Sequence, residues 1–529
     1  VEQRDETGDT VIDQPEVVAQ CTSAAEQIGR SIATGGVLMM LGRAVVLPAG
    51  LISAAFLARV LGPADFGLYS VVMSIVVWVG TVISMLFNRA SIILIAESSD
   101  WEPVAISLIQ SQLLLGIAAG VALFLAAPAL GSGLGEPTLE PVIRILAAFI
   151  PVSTLTGGYE NVLNGRRAFR RSAFFPVVSE VSRLLLVLLL VGGGLGLKGA
   201  ALAVLGASGA VLWFARRSLP LRLRQRVAMP QKRFLRYSLP LFLDTLAKRL
   251  HRRIDLWAVQ ALAGATAAGY YSVALSVNRV GNPFSRTLSR VILATVSDAW
   301  AQGQRDVARA ILRQSLRLTL WLIPFAALGA GAAPGLIAFV FGEAYLPAAP
   351  LLVWVSFSIV ALTITSLTAT MLAAVGRPGA AFMYNVPLLA LAVVGYLVWV
   401  PRAGAIGAAV VTAVSAWGVA LAMMVAVYRS CQVGPGRGTV ARTVVTGAIA
   451  YALVKVWHAP GAWVIPQLLA LCGVVLLLLF VLGELTVADL RFVVSLLKPV
   501  PGPMACGGTD LSERPAVDCR GESNDEHSS

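Results

Sequence analysis

Gly62-Pro63-Ala64-Asp65-Phe66-Gly67-Leu68-Tyr69-Ser70-Val71-Val72-Met73-Ser74 is answered 202 residues later by Gly264-Ala265-Thr266-Ala267-Ala268-Gly269-Tyr270-Tyr271-Ser272-Val273-Ala274-Leu275-Ser276. The two copies share Gly62, Gly67, Tyr69, Ser70, Val71 and Ser74 with Gly264, Gly269, Tyr271, Ser272, Val273 and Ser276, and each lies between two long apolar stretches. Two further echoes follow in the same order. Gly165-Arg166 is matched by Gly376-Arg377, 211 residues on, and Gly199-Ala200-Ala201 by Gly407-Ala408-Ala409, 208 on. Three matches in register divide the chain into two tandem halves of about six membrane spans each, an organisation of parallel repeats.

Composition places the chain in a bilayer. Its 529 residues are 57% hydrophobic and 13% charged, with a mean hydropathy of +0.79, too apolar for a soluble globular protein. One spanning helix needs about 20 mostly apolar residues. About fourteen such stretches run from 36–58 to 462–483, so the fold class is an all-α polytopic membrane protein. Two six-helix lobes are expected at 31–215 and 238–428, joined by a basic linker at 216–237. Two additional spans occupy 429–483, and an interfacial helix is expected at 484–498. The acidic segment 1–30 and the polar segment 499–529 read as disordered tails. Those tails hold 4 of the 41 bases and 13 of the 28 acids, so the body carries a formal charge of +22 against +13 for the whole chain.

That excess of bases has an orientation. The connections after even-numbered spans hold 21 Arg and Lys residues, and the opposite connections hold only Arg59, Lys198 and Arg402. The positive-inside rule then puts both termini in the cytoplasm and the protein in the cytoplasmic (inner) membrane, without nucleic acid as a partner. The three His and five Cys residues offer no pair at ligand spacing, so neither a metal nor another cofactor is expected, and no disulfide. Trp101, Tyr345, Trp399, Tyr428, Trp457 and Trp463, near span ends, read as an interfacial belt.

The sharpest chemical signal is in span 7, 238–262, which holds Asp244, Lys248, Arg249, His251, Arg252, Arg253 and Asp255. Six formal charges facing lipid would cost on the order of 15 kcal/mol or more, so they must face protein or water. Asp244, Lys248, Arg252 and Asp255 share one helical side, with Arg249 and Arg253 on the adjoining stripe. Such a net-positive face suits a cavity that recognises phosphate, because Arg and Lys are the usual partners of phosphate oxygens. The plainer alternative is that these acids and bases pair with each other and lock the helices. Arg279 in span 8 and Arg43, two turns into span 1, complete the candidate substrate-binding set. Asp244, Asp255 and Glu180 are candidates for carrying a coupling ion, although Glu180 stands three residues from Arg183 and can pair with it.

Ala58-Arg59-Val60-Leu61-Gly62-Pro63-Ala64-Asp65-Phe66-Gly67-Leu68-Tyr69 resembles the first outer loop of the polysaccharide transporter (Wzx-type oligosaccharide flippase) family, within the multidrug/oligosaccharidyl-lipid/polysaccharide exporter superfamily. Phe341-Gly342-Glu343-Ala344-Tyr345-Leu346-Pro347-Ala348-Ala349-Pro350 is similar to that family's loop after span 9, and Ala374-Val375-Gly376-Arg377-Pro378 to its turn after span 10. The resemblance implies two lobes rocking about a cationic central cavity. It also implies a polyprenyl-pyrophosphate-linked oligosaccharide as substrate, membrane lipids and other polysaccharide assembly proteins as partners, and no enzymatic activity. The competing readings are a drug or cation antiporter of the same superfamily, a lipid II flippase, a membrane glycosyltransferase or polymerase, and a non-transporting scaffold.

Overall fold

A computed structural model of the chain describes residues 15–98, 100–133, 136, 139–166, 168–221, 254–278, 282–377, 379–457 and 461–485. Among these the regular structure is helical throughout. The first half comprises α1 (Pro15–Glu97), α2 (Trp101–Gly133), α3 (Glu140–Ala147), α4 (Phe149–Gly165), α5 (Phe169–Ser172), α6 (Phe174–Leu190) and α7 (Gly196–Ser218). The second comprises α8 (Ile254–Asn278), α9 (Asn282–Ala301), α10 (Arg305–Leu320), α11 (Leu322–Gly331), α12 (Ala333–Phe341), α13 (Ala349–Ala374) and α14 (Gly379–Cys431). Two more helices, α15 (Arg437–Val456) and α16 (Val464–Val481), follow and pack on α11 through Leu328, Ala332, Ala450, Val454 and Leu471.

Nine runs of helix among the described residues are long and apolar enough to cross a membrane, making this a multi-pass membrane protein. Three of them, Val45–Ile95, Phe169–Ser218 and Pro387–Cys431, have 51, 50 and 45 residues, about twice what one crossing needs. Each breaks near its middle at glycine with positive φ: Gly62, then Gly194 and Gly196, then Gly404. The chain thus reverses direction where only glycine tolerates the backbone. The expected seventh span lies largely within 222–253, outside the described residues, as do most of the 216–237 linker and everything after Leu485, so the count of fourteen is not completed here.

Helix α1 is described from Pro15 onward, within the acidic segment 1–30. Arg305, Arg309, Arg313 and Arg317, four of the 21 bases in the connections after even-numbered spans, lie on the helix α10. Its buried Ala308, Leu312, Ser315, Leu316 and Thr319 follow a helical period, and the four arginines recur every fourth residue beside them.

The apolar cores reveal how the halves meet. One core at the end of the bundle carrying the Gly62 and Gly264 breaks joins both halves, combining Leu57, Ala58, Phe66 and Val71 with Val259, Ala268, Val273 and Phe341. Elsewhere, among the described residues, each half keeps its own. Phe87, Leu94, Ile109, Tyr159 and Val211 form a core from the first half alone, and Ile292, Leu312, Met371 and Met423 form one from the second alone. Among the described residues the halves therefore share a core at the break end and keep separate cores at the other.

Candidate functional site

The duplicated phrase folds the same way twice and then packs against itself. Gly62 has φ 76° and ψ 173°, and Gly264 has φ 85° and ψ 179°. This region of backbone space is essentially closed to residues with a side chain, so both sharp reversals require glycine. Five residues on in each copy, the chains of the two halves touch. A Cβ on Gly67 would overlap the carbonyl oxygen of Ala265 and lie 2.6 Å from the nitrogen of Gly269. A Cβ on Gly269 would overlap the oxygen of Pro63 and lie 2.9 Å from its carbonyl carbon. The contact is reciprocal about a pseudo-twofold axis, backbone against backbone.

Side chains from distant parts of the chain secure this closure. The Tyr345 hydroxyl donates to the Ala58 carbonyl at 2.9 Å, and Arg59 donates to the carbonyls of Val340, at 3.0 Å, and Phe339. The indole N–H of Trp257 donates to Ser74 at 2.7 Å, and its ring meets Trp78 edge-on at 5.6 Å. Tyr345 is 1% exposed, with its ring edge-on to Phe66 and Tyr270. It is not an interfacial-belt residue, as its position near a span end suggested. The loop Phe341–Pro350, quoted above for its resemblance, was the signal that marked it.

Asp255, a candidate coupling group, is 5% exposed and sits just below this closure. Its carboxylate accepts from the Tyr271 hydroxyl at 2.9 Å and from its neighbour's backbone, Leu256 N, at 2.8 Å. Tyr271 also shares a 3.0 Å hydrogen bond with Thr412, which shares another of 3.0 Å with Tyr396. The carboxylate is therefore tied across α8 to both arms of α14, on either side of the Gly404 break. At the equivalent position, 202 residues earlier, the first half has Ser53, so this network exists in one half only. The repeat gave no hint of it, since Tyr396 and Thr412 belong to no shared motif.

Glu180 does pair with Arg183, at 2.5 Å, with both side chains half-buried on α6. The pair faces α1 at Gly50, where a Cβ would be 3.5 Å from Glu180 Oε2 and 3.7 Å from an Arg183 nitrogen. Arg43 lies on α1 two turns before Gly50. The other candidates, Asp244, Lys248, Arg249, Arg252, Arg253 and Arg279, lie outside the described residues.

A further polar surface went unremarked in the sequence. On α4 the half-exposed positions include Ser153, Thr156, Gly157, Glu160 and Asn164, while Thr154, Leu155, Gly158, Tyr159, Asn161 and Val162 are buried. On α13 the half-open or exposed positions include Leu362, Thr365, Ser366, Ala369 and Ala373. The two sets match position for position at a spacing of 209 residues, so the repeat extends to which faces remain open. Hydroxyls on these faces donate to their own helix, Thr156 to Ser153 O and Thr365 to Ala361 O, which leaves their lone pairs outward. Glu160 stands on the first face where Ala369 stands on the second.

The family described as polysaccharide biosynthesis protein matches residues 56–350, more than half of the sequence. The chain belongs to that family. Among solved structures it is similar to the lipid II flippase MurJ in an inward closed conformation, with a TM-score of 0.72 and 16% identity over 86% of this chain and 100% of that one. It is also similar to an inward-facing multidrug resistance MATE transporter of the MOP superfamily, with a TM-score of 0.61, 14% identity, and 80% and 100% coverage. A MOP superfamily transporter from Pyrococcus furiosus gives 0.55, 15% identity, and 77% and 96% coverage. No curated protein matches the sequence. The fold is thus that of MOP superfamily transporters.

Proposed function

We propose that the protein is a flippase that moves a polyprenyl-pyrophosphate-linked oligosaccharide, a polysaccharide precursor, across the cytoplasmic membrane by alternating access. The observation that carries this reading is the division of the cores, one shared at the break end and separate ones elsewhere, in a chain of the polysaccharide biosynthesis family. With the break end outward, as the basic connections imply, this is a carrier closed to the outside. The half-open faces of α4 and α13 then line a water-filled cavity between lobes 31–215 and 238–428. Arg43, Lys248, Arg249, Arg252, Arg253 and Arg279 supply its counter-charge to the pyrophosphate, while the polyprenyl chain stays in lipid. Asp244, Asp255 and Glu180 are the groups through which an ion gradient would drive the cycle. Nothing in this scheme requires a covalent step, so the protein acts without enzymatic chemistry.

A second reading, export of lipid II, is supported by the likeness to MurJ. The two are separated by depletion: loss of a polysaccharide with continued peptidoglycan synthesis supports the first, and arrest of peptidoglycan synthesis supports the second. The site itself is tested by neutralising Lys248, Arg252 and Arg279 together. Export should be lost at normal protein level, and export that persists would sink the cavity assignment.

A further inference from the structure

The arginines of α10 are not equivalent. Arg305 stacks on Trp300, 3.7 Å from the ring centre. Arg309 donates to the carbonyl of Cys431 at 3.2 Å and pairs with Asp306 at 3.1 Å. Arg317 donates to Glu484 through both its carboxylate, at 3.2 Å, and its carbonyl. The fourth, Arg313, is exposed and has no hydrogen bond or ion pair to another described residue. It borders a cleft of about 410 Å³ between α10 and the amino end of α15, together with Gln314, Arg317, Gly434, Gly436 and Thr439.

Charge and donors converge on this cleft. Glu484, 3% exposed, is shared by Arg317 and by Arg442 at 3.1 Å, and Arg313 lies beside Arg317 on the cleft, so these three arginines stand against one carboxylate and leave two positive charges in excess. Residue 436, the cap of α15, is glycine and has no side chain to cover the first N–H groups of that helix. A guanidinium free to form a fork, excess positive charge and uncapped N–H groups around a volume of this size suit a tetrahedral oxyanion.

We propose that this cleft binds a phosphate group, carried by an anionic lipid headgroup at the membrane surface or free in solution. It is separate from the cavity assigned above, so it stands or falls independently of the flippase reading. By the distribution of bases it opens on the cytoplasmic face, where Arg429, Arg437 and Arg442 add to the field drawing anionic headgroups.

The test uses the full chain in detergent, titrated separately with short-chain phosphatidylglycerol, short-chain phosphatidylcholine and inorganic phosphate. Bound lipid is counted by native mass spectrometry, and phosphate is read from the shift in thermal unfolding. Arg313→Gln removes the open guanidinium without disturbing the Glu484 clamp, and Thr439→Glu puts a carboxylate at the mouth. Expected is binding of phosphatidylglycerol in preference to phosphatidylcholine, or a stabilising response to phosphate, weakened about tenfold or more by each variant. The first identifies a lipid source and the second a soluble anion. No binding of either anionic probe, equal binding of the two lipids without a phosphate response, or binding that either variant leaves unchanged overturns the proposal.

Discussion

Gly67→Ala tests the closure where the halves touch. The added methyl would overlap Ala265 O and lie 2.6 Å from Gly269 N, and both are backbone atoms that cannot rotate aside. Overpacking of this kind costs about 1–3 kcal/mol. The cost falls on the closed arrangement alone, because parting the halves at the break end removes the contact. The balance between closed and open should therefore shift by about 5- to 150-fold toward open. Gly269→Ala should act in the same direction through Pro63, and the double variant should fall short of the sum because the two sites share the contact. Spin labels at Asp65→Cys and Thr266→Cys, both exposed at the break end, report the separation by double electron–electron resonance in a background free of other cysteines. Either variant should populate a longer distance that is minor in the parent. Gly209→Ala, where a Cβ meets nothing within 4 Å, should leave the distribution unchanged. An unaltered distribution in both Gly67→Ala and Gly269→Ala would refute the reasoning.

Four further outcomes follow from the same geometry. Tyr345→Phe removes the donor to Ala58 O and should weaken the closed state by about 0.5–1.5 kcal/mol, roughly two- to tenfold in the same distance measurement; no change would mean that water replaces the hydroxyl. Glu180→Gln leaves Arg183 without its carboxylate and should lower thermal stability, while the exchange Glu180→Arg with Arg183→Glu should restore it; a single variant as stable as the parent would remove the pair from the account. Glu484→Ala strands Arg317 and should cost up to about 3 kcal/mol in unfolding, whereas Arg442→Ala, on the exposed partner, should cost about 1 kcal/mol or less. Asp255→Asn keeps an acceptor for Tyr271 but removes the charge, so protein level should hold while gradient-driven export falls; export with unchanged gradient dependence would exclude Asp255 from coupling.

Much of the fold was legible because a membrane imposes strong periodic rules. The repeated phrase marked the halves, and its glycines at 62 and 264 are where the helices break. The connection that holds Arg305 to Arg317 is helical, and the spacing of four between its arginines carries that signal. The closure itself was not legible. Tyr345 with Ala58, Arg59 with Val340 and Trp257 with Ser74 join residues 287, 281 and 183 positions apart, and pairings at such distances leave no trace in local periodicity. The partners of Asp255 were missed for a related reason: Tyr271 lies in the repeat, but Thr412 and Tyr396 come from α14. The open faces of α4 and α13 could have been found by carrying the repeat spacing through spans 4 and 10, where polar residues recur every three to four positions.

The central claim is that a cavity between the lobes receives a lipid-linked glycan. Native mass spectrometry of the protein, extracted gently from its own membranes, tests this most directly. The account predicts a bound polyprenyl-pyrophosphate oligosaccharide, lost when Lys248, Arg252 and Arg279 are neutralised. Bulk phospholipid alone, from membranes that demonstrably contain the glycolipid, would contradict it.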